Sequence, residues 1–371
     1  MFFFKLKYKL RSLTFLTLII TLLLGITPIA SAKTRQSHII DFIYENHNDD
    51  ESFGISTQDT ANAIEIIDFY NAYLIEGFLQ AIKKVDKPTI EEYLEDAITS
   101  MFTAENINIY NLFNVLSTLD SLGTALDLNL HDKIYAYINE TAQSTGGFSP
   151  TNTSTNVNLI STFYIYNIFT LINETVENKE LHKNWVLSCD NTDGGYGGNH
   201  TLSSTLLTTY YAVYLIKELG NVSDLANQNS TLTYLKSFFI NDPDDLDNFG
   251  GYLPDVFAKN SLLSSTYFCV EGIRLINSSE LNKLATVNWV LNHQNFRDGG
   301  FSDHVEGNDQ KLSSISVSYY AFEILKGFNS LDLLNEDIFM VEFNFLTLII
   351  VTSIIGIIIA VIYIIWRKRR I

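Results

Sequence analysis

Trp185-Val186-Leu187-Ser188-Cys189-Asp190-Asn191-Thr192-Asp193-Gly194-Gly195-Tyr196-Gly197-Gly198, followed by Leu206-Leu207-Thr208-Thr209-Tyr210-Tyr211-Ala212-Val213-Tyr214-Leu215-Ile216, is the stretch that decides how this chain folds. It reads as a phrase of four parts: a helical segment, a Gly-Gly-aromatic turn, a polar loop rich in Ser and Thr, and a second helix crowded with aromatics. The phrase recurs. Gly146-Gly147-Phe148, Gly250-Gly251-Tyr252 and Gly299-Gly300-Phe301 centre three more copies, and the second glycines of the four are 48, 56 and 49 residues apart. A period near 50 with two helices per unit is the signature of a helical-repeat architecture.

Two copies without the double glycine occupy the earlier chain. Ile39 to Tyr44, Phe53-Gly54 and Ala61 to Phe78 make the first; Ile90 to Met101 and Ile107 to Leu122 make the second. Six units therefore fit residues 33–342.

The two helices of a unit differ in pattern. Ile90, Tyr93, Leu94, Ala97, Ile98 and Met101 share one helical face, with Glu91, Glu92, Glu95 and Asp96 between them, as in a helix wetted on its other side. Leu206 to Ile216 is apolar nearly all round and belongs in an inner layer. The turn between them asks for positive φ, which glycine adopts without a Cβ penalty, and the aromatic that follows drops back as a plug. Gly123, Gly220 and Gly327 are expected as left-handed caps of inner helices.

The ends of the chain speak to location. Lys5, Lys7, Lys9 and Arg11, then the apolar run Leu13 to Ile26 and Ala30-Ser31-Ala32, read as a signal peptide over residues 1–32, with an uncleaved signal anchor as the alternative. Phe345 to Trp366 is 22 residues without a charge, enough for a transmembrane helix at residues 345–366, with a buried core helix as the bland alternative. Arg367, Lys368, Arg369 and Arg370 make residues 367–371 a basic cytoplasmic tail. The expectation is a single-pass type I protein of the cell membrane with its body outside the cytoplasm.

The body itself is acidic. The whole chain carries 24 Lys and Arg against 42 Asp and Glu, and residues 33–342 hold 16 of the former and all of the latter, a net −26. Such a surface excludes nucleic acid and polyanions as partners. Seven Asn-x-Ser/Thr sequons, at Asn139, Asn152, Asn173, Asn199, Asn221, Asn229 and Asn277, suit a glycoprotein on a secretory route. Cys189 and Cys269 are the only two cysteines, and they could form one bridge or stay as buried thiols; either way a large apolar core must hold the fold.

The stretch from Trp185 to Gly198 with Tyr210-Tyr211-Ala212-Val213, and Trp289-Val290-Leu291-Asn292-His293-Gln294 leading to Asp298-Gly299-Gly300-Phe301, resemble the repeats of protein prenyltransferase β-subunits and, more broadly, of the prenyltransferase and squalene-cyclase superfamily. The resemblance covers residues 130–330 well and the first hundred poorly. It implies an all-α (α/α)6 toroid of six outer/inner helix pairs around a funnel-shaped cavity, which in the enzymes holds an isoprenoid diphosphate. It also implies where zinc ligands would stand, an Asp-x-Cys pair opening the inner helix of the penultimate repeat and a His opening that of the last. Here those places read Leu262-Leu263-Ser264 and Ser313-Ser314-Ile315, without thiolate, imidazole or carboxylate. Lys259 and Lys311 are the only nearby candidates for holding a diphosphate.

Other strings are weaker. Asp242-Pro243-Asp244-Asp245 matches the cyclase acid motif in letters but precedes Gly250-Gly251 in a turn after an outer helix; it reads as an acidic loop, with calcium at Asp242, Asp244, Asp245 and Asp247 a candidate. His200 and His304, with Asp303, Glu306 and Asp309, make a metal at one rim conceivable. No thioester string, phosphate-cradling loop or nucleophile triad is present. The expected function is a binding or interaction module for a protein, glycan or lipid with a diverged site; the alternative is an enzyme acting on an isoprenoid or other substrate in the cavity.

Overall fold

The computed structural model describes residues 34–71, 85–295, 297–303 and 313–336. The chain divides into two compact units, Ser37–Leu334 and a second made of Met1–Gln36 with Asn335–Ile371. Of the second unit the described part is short; in it the Arg35 backbone N–H donates to the Glu336 carbonyl at 3.2 Å.

The described residues form twelve α-helices that fall into six pairs: α1 (Arg35–Glu45) with α2 (Thr57–Phe69), α3 (Lys87–Thr103) with α4 (Ile109–Ser121), α5 (Leu128–Glu140) with α6 (Leu159–Leu171), α7 (Lys179–Leu187) with α8 (Leu206–Leu219), α9 (Gln228–Lys236) with α10 (Leu263–Asn277), and α11 (Lys283–Asn292) with α12 (Ile315–Gly327). The even-numbered helices pack side by side in the order α2, α4, α6, α8, α10, α12, and α12 returns to α2, so the unit Ser37–Leu334 contains a closed inner ring. Odd-numbered helices form the outer layer. Patterning explains the two layers: α3 buries only Ile90, Leu94 and Ile98, whereas α8 buries ten of its fourteen residues.

The turn between outer and inner helix is built the same way in five pairs. The aromatic after the glycines, and Phe53 in the first pair, is buried to 2 % exposure or less. Its backbone N–H donates to a hydroxyl one turn into the following inner helix: Phe53 to Thr60 (3.0 Å), Phe148 to Thr162 (3.0 Å), Tyr196 to Thr209 (2.9 Å), Tyr252 to Thr266 (3.0 Å) and Phe301 to Ser318 (2.9 Å). A buried N–H without a partner costs about 1 to 3 kcal/mol, so each hydroxyl fixes a plug in place. The α3–α4 turn has no plug, and the matching position is Leu112, which has no hydroxyl.

The glycines close the ring as well as turning the chain. Gly194 has φ +87, and a Cβ there would meet the Ser230 carbonyl of the next outer helix at 2.5 Å. Gly195 is not in the left-handed region; what forbids its side chain is Tyr234 of the same helix at 2.7 Å and Ser204 at 2.6 Å. Positive φ explains the first glycine of this turn and close approach the second, whereas Gly147, second in its own turn, has both a φ of +71 and Trp185 at 2.7 Å. The pattern advances one pair at a time, Gly146 against Leu181, Gly194 against Ser230, Gly250 against Ala285, and ends with Gly299 against His38 of α1. The last turn thus packs on the first outer helix.

Several expectations need correction. Gly123 is a left-handed cap with φ +70. Gly220 is not: its φ of −161 is extended. Gly327 lies inside the last turn of α12, and Asn329, φ +50, takes the left-handed position. The inner helix expected over Ala61 to Phe78 ends at Phe69, and residues 72–78 fall outside the described ones. Cys189 and Cys269 are both buried and free. Burial pushes the Cys189 thiol up to about 12 and the Cys269 thiol upward too, so neither is a ready nucleophile. The signal peptide at 1–32, the span at 345–366 and the tail at 367–371 lie outside the described residues; among the described residues no helix is long and apolar enough to cross a membrane.

Candidate functional site

The six inner helices share a register that sorts their lumen-side residues into layers. Counting from the first helical residue, the fifth and sixth positions are Ala61-Asn62, Phe113-Asn114, Phe163-Tyr164, Tyr210-Tyr211, Tyr267-Phe268 and Tyr319-Tyr320. From α4 to α12 these make a continuous aromatic belt. Phe113 meets Tyr164 at 5.1 Å, Phe163 stacks on Tyr211 at 3.8 Å and 13°, Tyr210 meets Phe268 at 5.7 Å, and Tyr267 meets Tyr320 at 5.3 Å. Such pairs stabilise by about 0.5 to 1.5 kcal/mol beyond area burial. On α2 the belt is broken by Ala61 and Asn62.

The phenols of the belt face inward. Tyr319 and Tyr320 are half-buried. Burial, with Tyr164 from the opposite side of the ring and Asp303 adding to it, pushes the Tyr320 phenol up to about 12. Tyr210, Tyr211, Tyr267 and Tyr319 are pushed up as well, first by burial, so these phenols are neutral at physiological pH.

One turn further along, at the ninth and twelfth positions, the lumen becomes charged on one side. Glu65 stands on α2, Glu271 and Arg274 on α10, Glu323 and Lys326 on α12. The Lys326 ammonium donates to Glu323 Oε1 at 2.7 Å and to Glu65 Oε1 at 3.2 Å, and Tyr319 donates to Glu65 Oε2 at 2.9 Å. Lys326 Nζ also lies 5.5 Å from the ring centroid of Phe322 and 5.9 Å from that of Phe69. Arg274 pairs with Glu271. Burial and then the neighbouring Glu65 push the Glu323 carboxyl up to about 7; burial also raises Glu271, against the pull of Arg274. Lys326 stays protonated: burial opposes its charge, but Glu323 and Glu65 outweigh it and its pKa rises. Opposite this corner the ninth positions are Ser117, Asn167 and Tyr214, with the Tyr214 hydroxyl donating to Asn167 at 2.8 Å.

The rim positions singled out in the sequence behave differently. Leu262 and Ser314 are the residues that open α10 and α12, so the stretches Leu262-Leu263-Ser264 and Ser313-Ser314-Ile315 do occupy the helix-opening places. Zinc does not fit there: the side chains are leucine, serine and isoleucine, and Ser314 is engaged capping α12 through the Val317 N–H at 3.1 Å. Asp303 is turned to the first N–H of α10, at Leu263, 2.7 Å away. Lys259 is exposed, as is His200; His304, Glu306, Asp309 and Lys311 lie outside the described residues.

The acidic loop between α9 and α10 is not gathered around a point. Asp242 and Asp244 are exposed, Asp245 accepts from the Asn248 amide at 3.0 Å, and Asp247 offers its backbone carbonyl to Trp289 at 2.9 Å. Among the described residues no three His, Cys, Asp or Glu side chains are placed to hold a metal ion together. Of the seven sequon asparagines, Asn152, Asn173, Asn221, Asn229 and Asn277 are exposed and Asn139 and Asn199 half-buried.

Reading the sequence alone missed the charged corner. A signal was present: Thr162-Phe163-Tyr164, Thr209-Tyr210-Tyr211, Thr266-Tyr267-Phe268 and Ser318-Tyr319-Tyr320 repeat a hydroxyl followed by two aromatics, and the residue five after the hydroxyl is the ninth-layer residue, glutamate in the last two.

Comparison with known proteins agrees with this geometry. The family model described as the prenyltransferase alpha-alpha toroid domain matches residues 3–156, 83–178, 153–252 and 246–343. No curated protein matches the chain. Among solved structures, Candida albicans protein geranylgeranyltransferase-I complexed with GGPP is similar, with a TM-score of 0.56 at 16 % identity over 79 % of this chain and 88 % of that one. The type II terpene cyclase MstE from Scytonema gives 0.52 at 12 % identity over 80 % and 98 %. At these identities the structures testify to the fold alone, while the family model extends along nearly the whole sequence, and the chain belongs to the prenyltransferase α/α-toroid family.

Proposed function

We propose that this chain is a prenyltransferase-like toroid that works as a binding module, held outside the cytoplasm by the span at residues 345–366, and that its ligand enters the lumen. The observation that carries this reading is the pairing of an aromatic belt with an acidic corner. An aromatic lumen suits an apolar or aromatic body. The two bases of the corner, Lys326 and Arg274, are already paired with its glutamates, so that neither is a free cation for a diphosphate. Leucine, serine and isoleucine at the helix-opening positions of α10 and α12 support the same reading.

The test is metal analysis of the purified full chain together with a geranylgeranyl-diphosphate binding assay. The reading expects no stoichiometric zinc and no saturable diphosphate binding. Positive results in both would overturn it in favour of a transferase. A second reading, an enzyme acting on a substrate in the lumen, draws on Glu323, which keeps its proton to about pH 7 beside the belt and so has an acid to offer. Retention of an unchanged ligand after long incubation counts against that reading, and product formation lost in Glu323→Gln counts for it.

A further inference from the structure

We propose that the corner between α2, α10 and α12 takes the cationic, amine-type head group of a ligand whose apolar or aromatic body lies along the belt. The inference rests on the lumen reading above and names the ligand class for it.

Charge balance is the first ground. The corner gathers Glu65, Glu271 and Glu323 against Lys326 and Arg274, and carries excess negative charge once Glu323, raised to about 7, is ionised. The second ground is independent of the count. Glu271 is only 7 % exposed, and its Oε1 has no hydrogen-bond partner among the described residues, while its other oxygen faces Arg274. A buried carboxylate oxygen left without a donor is costly unless something supplies one. Its charge acts on Tyr210 of α8, on Tyr267 and on Glu323, the groups that border the corner from three helices. A third ground is that the chain already shows the chemistry with its own cation: the Lys326 ammonium is held by two of the glutamates while lying over Phe69 and Phe322. A ligand amine would repeat that arrangement at Glu271, beside Tyr210 and Tyr267. The acidic surface of residues 33–342 favours the approach of a cation at long range.

Calorimetric titration of the full chain with 4-phenylbutylamine, 4-phenylbutanol and 4-phenylbutanoate tests this. One charge-assisted hydrogen bond predicts that the amine binds about tenfold more tightly than the alcohol, with the carboxylate weakest. In Glu271→Gln the amine falls to the affinity of the alcohol, and the alcohol binds as before. Should Glu271→Gln fail to fold, the amine-to-alcohol ratio of the parent chain, expected at about tenfold, decides the same question. Equal binding of amine and alcohol, or a preference that survives the substitution, overturns the cation site and leaves the lumen reading standing. Binding of none of the three overturns both.

Discussion

At the scale of single residues, the fold depends on small polar groups that meet buried backbone. Thr209 accepts from the Tyr196 N–H at 2.9 Å and donates to the Thr205 carbonyl at 2.7 Å. Thr209→Val keeps the volume and removes the hydroxyl, and should destabilise by about 1 to 3 kcal/mol, whereas Thr209→Ser should stay near the parent; chemical denaturation of the pair decides. Phe301→Ala removes a fully buried plug and should cost about 3 to 5 kcal/mol, an effect plain in a thermal melt. Glu323 gives the residue-scale pH dependence. Its pKa rises from the ordinary carboxylate value of 4.5 to about 7 on folding, so its contribution to stability is fully present below the unfolded value and is lost as pH rises through the folded one. Stability of the parent relative to Glu323→Gln should therefore fall between these values and level off above them. A difference that stays flat with pH would place Glu323 in ordinary solvent.

At the scale of elements, the glycine-aromatic turn was legible because it is local: four Gly-Gly-aromatic copies at a near-constant period give both the hairpin and its repeat. What the second glycine does was not legible, since the ring that excludes a side chain at Gly195 comes from Tyr234, far along the sequence on the next outer helix. Caps failed for a related reason. Gly220 was expected to be left-handed from its place after α8, but a Cβ there would meet Asp224 and Lys183, and the backbone runs extended into the next turn. The charged corner escaped because its members stand on α2, α10 and α12, more than 250 residues apart at the ends, and only ring closure brings Glu65 to Lys326. An element-scale prediction separates the two kinds of glycine. Gly299→Ala would place a Cβ 2.2 Å from the His38 carbonyl at a φ of +89, while Gly198→Ala meets only Leu202 Cδ1 at 3.2 Å. The first should cost more than about 1 kcal/mol and the second little. Similar melts for the two would mean that the last turn does not press on α1.

At the scale of the whole molecule, the closed lumen and the acidic corner follow from closure of the inner ring, because each needs α12 beside α2, whereas the belt needs only the successive neighbours from α4 to α12. The seam is specific: Ser316 donates to Asp59 at 2.7 Å, Asn62 donates to Ser316 at 3.3 Å, and Tyr319 reaches Glu65 at 2.9 Å. An open superhelical stack of the same twelve helices would leave all of these groups apart. The most direct measurement is a thiol cross-link across the seam. A chain carrying Asn62→Cys and Ser316→Cys, positions whose side chains meet at 3.3 Å, should form an intramolecular disulfide in high yield on mild oxidation, with the native cysteines remaining free thiols. Absence of that disulfide in a chain that remains folded would contradict the closed ring.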